Sequence, residues 1–111
     1  MAWPHTYNFN YYVGDLYQLV LYPKQDEESF DLSGYTSLFV VATERGNSNA
    51  TVFSASPQVS ASPSRLLCTI MPSQGQLLTG ASYVYDIEIS DADETYTLLT
   101  GTISTELDIS R

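Results

Sequence analysis

Few side chains in this sequence could do acid–base or nucleophilic chemistry, and they are scattered. His5 is the sole histidine and Cys68 the sole cysteine among 111 residues. A serine or cysteine nucleophile needs a base held against it on rigid elements. His5 lies in an N-terminal arm, MAWPHTYNFN, read as mobile, which makes it a poor base. A small hydrolase is therefore the weakest reading. Cys68 sits in the strand-like run RLLCTI and reads as a small buried hydrophobe rather than a reactive thiol. One cysteine allows no internal disulfide, and a structural metal cluster needs more ligands. GxSxG, P-loop and GxGxxG patterns do not occur.

The acidic clusters invite a metal reading and fail it. Asp91, Asp93 and Glu94 imitate the start of a calcium loop, but the EF-hand glycine at its sixth position and glutamate at its twelfth are missing. A solvated hairpin tip suits them better, since turns favour Asp. Asp26, Glu27 and Glu28 read likewise as part of a charged loop. Paired-carboxylate chemistry needs a cleft on a larger scaffold. The expectation is a protein that is not an enzyme and holds neither cofactor nor metal.

Charge and composition narrow the partners. Thirteen acids against 4 bases give a formal charge of −9, which repels phosphate backbones and argues against nucleic acid. No basic amphipathic helix and no apolar run of ~20 residues is present, so no membrane contact is expected. The first residues lack the basic and apolar regions of a signal peptide. Apolar residues make up 43% and charged residues only 15%, below the usual quarter. A surface of uncharged polar groups suits a chain that packs against other proteins.

The elements that would position these residues are strands. Nine Tyr and four Phe, with many Val, Ile and Thr, fit a pleated half-buried surface. Strands are expected over residues 7–12, 16–22, 37–43, 50–55, 65–70, 82–90 and 95–105. Residues 37–43 are apolar on both faces and read as a central strand; 50–55 reads as an edge. Tyr83, Tyr85, Ile87 and Ile89 alternate with Val84, Asp86 and Glu88, which sends the first set into a core. SASPQVSASPS, residues 54–64, reads as an extended surface loop, and Pro72 opens one short helical turn. Gly101 inside the last strand marks a bulge or a close backbone approach.

This pattern predicts an immunoglobulin-like antiparallel β-sandwich of roughly seven to eight strands. Residues 1–10 form an arm and the start of the first strand, and 11–111 form the single domain. Immunoglobulin domains place a tyrosine two residues before their second core cysteine. Tyr83 and Tyr85 have that spacing, with Tyr85 in the cysteine's place. Aromatic residues crowd the first 17 positions, where Trp and Tyr would serve as interface anchors. Trp3, Pro4, His5, Tyr7 and Phe9 are the candidate partner surface. The alternatives are that Trp3 folds back over its own sandwich, or that exposed aromatics stack on carbohydrate.

Four short motifs, in order, extend this reading. Gly14-Asp15 precedes a strand; Asp31-Leu32-Ser33-Gly34-Tyr35 forms a turn; Tyr83-x-Tyr85-Asp86 lies in a strand; Leu99-x-Gly101 lies in the closing one. Their order resembles a family of small phage virion proteins, similar to the N-terminal immunoglobulin-like domain of baseplate upper proteins, with Ser33 in place of threonine. The chain ends where the second domain of those proteins would begin. The resemblance implies a virion structural protein made in the host cytoplasm, on the tail or baseplate or decorating the capsid. It implies other virion proteins as partners, in many copies on a symmetric assembly, and no active site. The competing reading is a host-surface adhesion or carbohydrate-binding module.

Overall fold

Alternation of apolar and polar residues decides which way each strand faces. The computed structural model describes residues 4–25, 28–46, 48–61 and 64–106. In chain order the strands are β1 (His5–Thr6), β2 (Phe9–Tyr12), β3 (Tyr17–Leu21), β4 (Lys24–Gln25), β5 (Glu28–Ser29) and β6 (Thr36–Ala42). They continue as β7 (Thr51–Ala55), β8 (Gln58–Ala61), β9 (Ser64–Ile70), β10 (Ser82–Ser90) and β11 (Thr95–Glu106). One short helix, α1 (Pro72–Gly75), joins β9 towards β10.

One sheet runs β1–β11–β10–β6–β7, with β2 also on β11; the other runs β3–β9–β8. Together they form an immunoglobulin-like β-sandwich. β4 and β5 make a separate two-stranded ribbon within KQDEES, a stretch expected to be only a loop. The two positions between them, Asp26 and Glu27, lie outside the described residues.

The central pair is the β10–β11 hairpin. Tyr83, Tyr85, Ile87 and Ile89 are all buried, as their alternation requires. Ile87 faces Leu99 and Glu88 faces Thr97, so Leu98 is an extra residue on β11. That bulge turns two consecutive leucines, Leu98 and Leu99, into buried positions. β9 supplies Leu66, Cys68 and Ile70 from the opposite sheet. On the inner face of the larger sheet, Tyr85 of β10 and Phe39 of the neighbouring β6 pack their rings edge to face at 5.9 Å. Each such side chain contributes roughly 1.5–3 kcal/mol of burial, which lets a core of this size stand without a disulfide.

Three expectations need correction. β1 and β2 run parallel to β11, so the larger sheet is mixed rather than wholly antiparallel. The N-terminal arm read as mobile is paired into the sheet from His5 onward. Gln58–Ala61, read as loop, is a strand paired antiparallel to β9. Its sequence, QVSA, carries one large apolar residue, Val59, and that one is exposed, so no run of core-facing side chains announces the strand.

Candidate interaction surface

Residues 5–13 follow β11 along the edge of the larger sheet. His5 lies beside Leu99 and Thr6 beside Thr100; the Tyr7 amide then donates to the Thr100 carbonyl at 3.0 Å. At the gap between β1 and β2 the Asn8 side-chain oxygen accepts from the Thr102 amide at 2.9 Å and stands in for the missing ladder bond. β2 resumes with Phe9 beside Ile103 and ends with Tyr12 beside Glu106. Gly101 lies under this crossing: a Cβ there would fall 1.9 Å from the Tyr7 carbonyl oxygen. The glycine is required by close backbone approach, one of the two roles expected of it.

Of the candidate docking residues, Pro4, His5 and Tyr7 are exposed, and Trp3 lies outside the described residues. Phe9 is not part of any surface. It is 8% exposed and its ring stacks on Tyr17 at 4.5 Å with 5° between planes. Alternation with Tyr11 sends it inward, so it is a core residue.

The motif residues hold the frame. Gly14 sits at φ +91° in the turn before β3, and the Tyr11 hydroxyl donates to the Asp15 carbonyl at 2.6 Å. Asp31 accepts from the Ser33 amide at 2.9 Å and from its hydroxyl at 2.7 Å, which closes an Asx-turn and holds the Asp31 carboxyl below its ordinary pKa. Leu32 enters the core, Gly34 takes φ +82°, and Tyr35 packs on Phe30 and Tyr96. This turn carries the chain from the smaller sheet to β6 in the larger.

Tyr83 and Tyr85 carry the immunoglobulin-like corner. The Gly80 amide donates to the Tyr83 hydroxyl at 2.6 Å, three residues upstream, as the tyrosine corner of that fold leads one to expect. Asp86 faces outward and accepts from Arg45 at 2.6 Å and from the Thr100 hydroxyl at 2.6 Å. Arg45 also donates to the main-chain oxygens of Tyr85 (3.3 Å) and Gly101 (3.0 Å). The Arg45–Asp86 side chains are 46% and 40% exposed, so this pair is worth well under ~1 kcal/mol after screening.

The thiol and the hairpin-tip acid with reactive potential are shielded or engaged. Cys68 is buried, and burial pushes its thiol up to about 12, which makes it inert as a nucleophile. Asp91 accepts from the Asp93 amide at 2.9 Å and the Glu94 amide at 2.8 Å, as a hairpin tip requires. Among the described residues no three His, Cys, Asp or Glu side chains gather to hold one metal ion. No helix among them is long and apolar enough to cross a membrane.

Besides Tyr7 and Tyr12 on the N-terminal segment, three exposed apolar residues lie together along β3. Leu16 is 57% exposed, Val20 42% and Tyr22 54%. β3 pairs with β9 on one side, and no described strand pairs with its other side. Beside the end of β3 a cleft of about 310 Å³ is lined by His5, Leu21, Tyr22, Lys24, Leu98 and Leu99. Sequence reasoning passed over this surface. The signal was the even-numbered positions of LYQLVLY, of which Leu16, Val20 and Tyr22 are apolar on the face that alternation sends outward.

No family model matches the chain, and none of the curated proteins matches it. Among solved structures it is similar to part of the Group B Streptococcus pullulanase SAP, at 13% identity and a TM-score of 0.48. The match covers 77% of this chain and 10% of that one, so the chain spans about a tenth of that protein's length. A likeness of this degree carries no argument about activity.

Proposed function

We propose that this chain is a non-enzymatic structural module of a bacteriophage virion, which works by assembly rather than by chemistry. It attaches an immunoglobulin-like sandwich to the tail or baseplate, or decorates the capsid, through contacts with other virion proteins. The observation that carries the assembly reading is the open edge of β3 with Leu16, Val20 and Tyr22 exposed along it. An unpaired strand edge is a ready template for another chain, and exposed apolar side chains on it favour pairing. The order of the four motifs supports the virion setting, and each of those motifs serves the frame. Repetition on a symmetric lattice turns weak single contacts into stable attachment.

Immunogold labelling of intact particles with an antibody to this chain tests the reading. Label on the tail or its tip supports the baseplate-related role, and label over the head makes it a capsid decoration protein. No label on any particle overturns the virion assignment.

A second reading is a host-surface adhesion or carbohydrate-binding module. Tyr22 at the cleft beside His5 and Lys24 favours it, because an exposed ring next to polar donors suits a sugar. Glycan-array binding that is lost in Tyr22→Ala would establish that reading over the first.

A further inference from the structure

We propose that β3 pairs, antiparallel about Leu19, with β3 of a second copy of this chain, so that two three-stranded sheets become one continuous sheet. This deepens the assembly reading and rests on it.

Three features of the edge point to a second copy as the occupant. The first is what the edge lacks. Residues 16–22, LYQLVLY, contain no charge and no proline, the devices that usually blunt an edge. The only described partner of β3 is β9, which leaves the opposite side without a strand.

The second is self-complementarity. Antiparallel pairing centred on Leu19 sets Leu16 opposite Tyr22 and Gln18 opposite Val20, each pair occurring twice. All four point away from the core, and three of them are large apolar groups already exposed. Residues 17, 19 and 21 are half-buried and face the core. Pairing about residue 19 keeps these inner faces on the same side in both copies, whereas a one-residue slip would turn one sheet inside out. A two-fold axis through Leu19 closes the contact as a dimer rather than a fibre.

The third is charge. Asp15 stands just before the strand and Lys24 just after it. Antiparallel pairing brings the acid of each copy towards the lysine of the other. Parallel pairing would stack like on like, which is unfavourable. The edge therefore selects both its partner and the direction of pairing.

Sedimentation equilibrium on the purified full chain tests this. The expected result is a reversible dimer. Val20→Lys should weaken it roughly tenfold or more, as loss of an interface contact does, while the Tm of the chain diluted until monomeric stays unchanged, because Val20 is exposed in the single chain. A disulfide test fixes the register. Mixing Gln18→Cys with Val20→Cys should give a cross-linked dimer under mild oxidation, because directly opposite positions lie within disulfide reach. Either variant alone places its cysteines on the diagonal and should cross-link far less.

A chain that stays monomeric into the millimolar range overturns the proposal. So does a dimer that Val20→Lys leaves unchanged and the cysteine pair does not trap. These measurements need no particle, so their failure leaves the labelling experiment standing. A dimer with no label on any virion would sink the virion reading alone.

Discussion

Tyr85 on β10 donates its hydroxyl to the main-chain oxygen of Tyr7, 2.5 Å away and 78 residues earlier in the chain. The phenol passes through the core to reach the N-terminal segment, so one buried side chain holds the outermost strand to the sheet. Tyr85→Phe removes that bond and nothing else of its shape. The expected cost is about 1–2 kcal/mol, seen as a fall in Tm of roughly 5–10 °C. Amide hydrogen exchange should rise first at Thr6–Asn8. A uniform rise across β10 and β11 instead would show that the bond does not act on this edge.

Two glycines that look alike in sequence should behave differently. Gly101→Ala drives a methyl group into the Tyr7 carbonyl, a main-chain atom that cannot swing away. It should cost roughly 3 kcal/mol. Gly34→Ala meets nothing within 4 Å, and only its φ of +82° resists a side chain. It should cost about 1–2 kcal/mol. Urea denaturation of the two variants checks the order, and a reversal would mean that the β1–β2 crossing relaxes freely.

Stability should fall at both ends of the pH scale. Asp31 and Asp91 are held below their ordinary value of 3.8, chiefly by hydrogen bonds from main-chain amides. Their contribution is present above that value and lost as pH drops through the lower folded ones. At the alkaline end burial raises Cys68 from 9.0 to about 12 and Tyr17 from 10.0 to about 12, and it also raises Tyr85. The folded chain holds these protons more tightly than the unfolded one. Stability should therefore decline from the ordinary thiol value of 9.0 upward. Thermal melts across pH should show a plateau between these limits, and a melt still level beyond the tyrosine range would contradict the buried hydroxyls.

Cys68 offers a direct probe of opening. With a buried, protonated thiol, the native chain should resist a thiol-reactive dye at mildly alkaline pH. Labelling should follow the unfolding transition in urea. Rapid labelling in the absence of urea would mean that β9 is exposed in native conditions.

The legible parts of this fold were those where side chains repeat a simple rule. SYVYDIEIS alternates without fault, and β10 begins and ends where that pattern does. FDLSGYT announces an Asx-turn and a positive-φ glycine, and both are present. β8 was illegible because Gln58–Ala61 carries no large apolar residue beyond Val59, in a stretch of small residues next to Pro57. Phe9 is read as a docking residue, although its alternation with Tyr11 puts both on one face of β2. Sequence shows that two residues share a face but not whether a second sheet covers it, and Tyr17 covers this one. The open edge of β3 escaped notice for a related reason. Which strand lies at an edge follows from sheet order, and sheet order is set by contacts between residues far apart in sequence.

The parallel course of β1 and β2 along β11 also has a mechanical meaning. His5 lies beside Leu99 and Tyr12 beside Glu106, so the described chain starts part-way along β11 and both strands point the same way. Tension applied between His5 and Glu106 would slide the two strands past one another and load all their hydrogen bonds together. Tension across the β10–β11 turn at Asp91–Glu94 would peel the hairpin one pair at a time. In single-molecule pulling the first geometry should rupture at the higher force. Load applied along the strands is then met in the direction where the sandwich resists best.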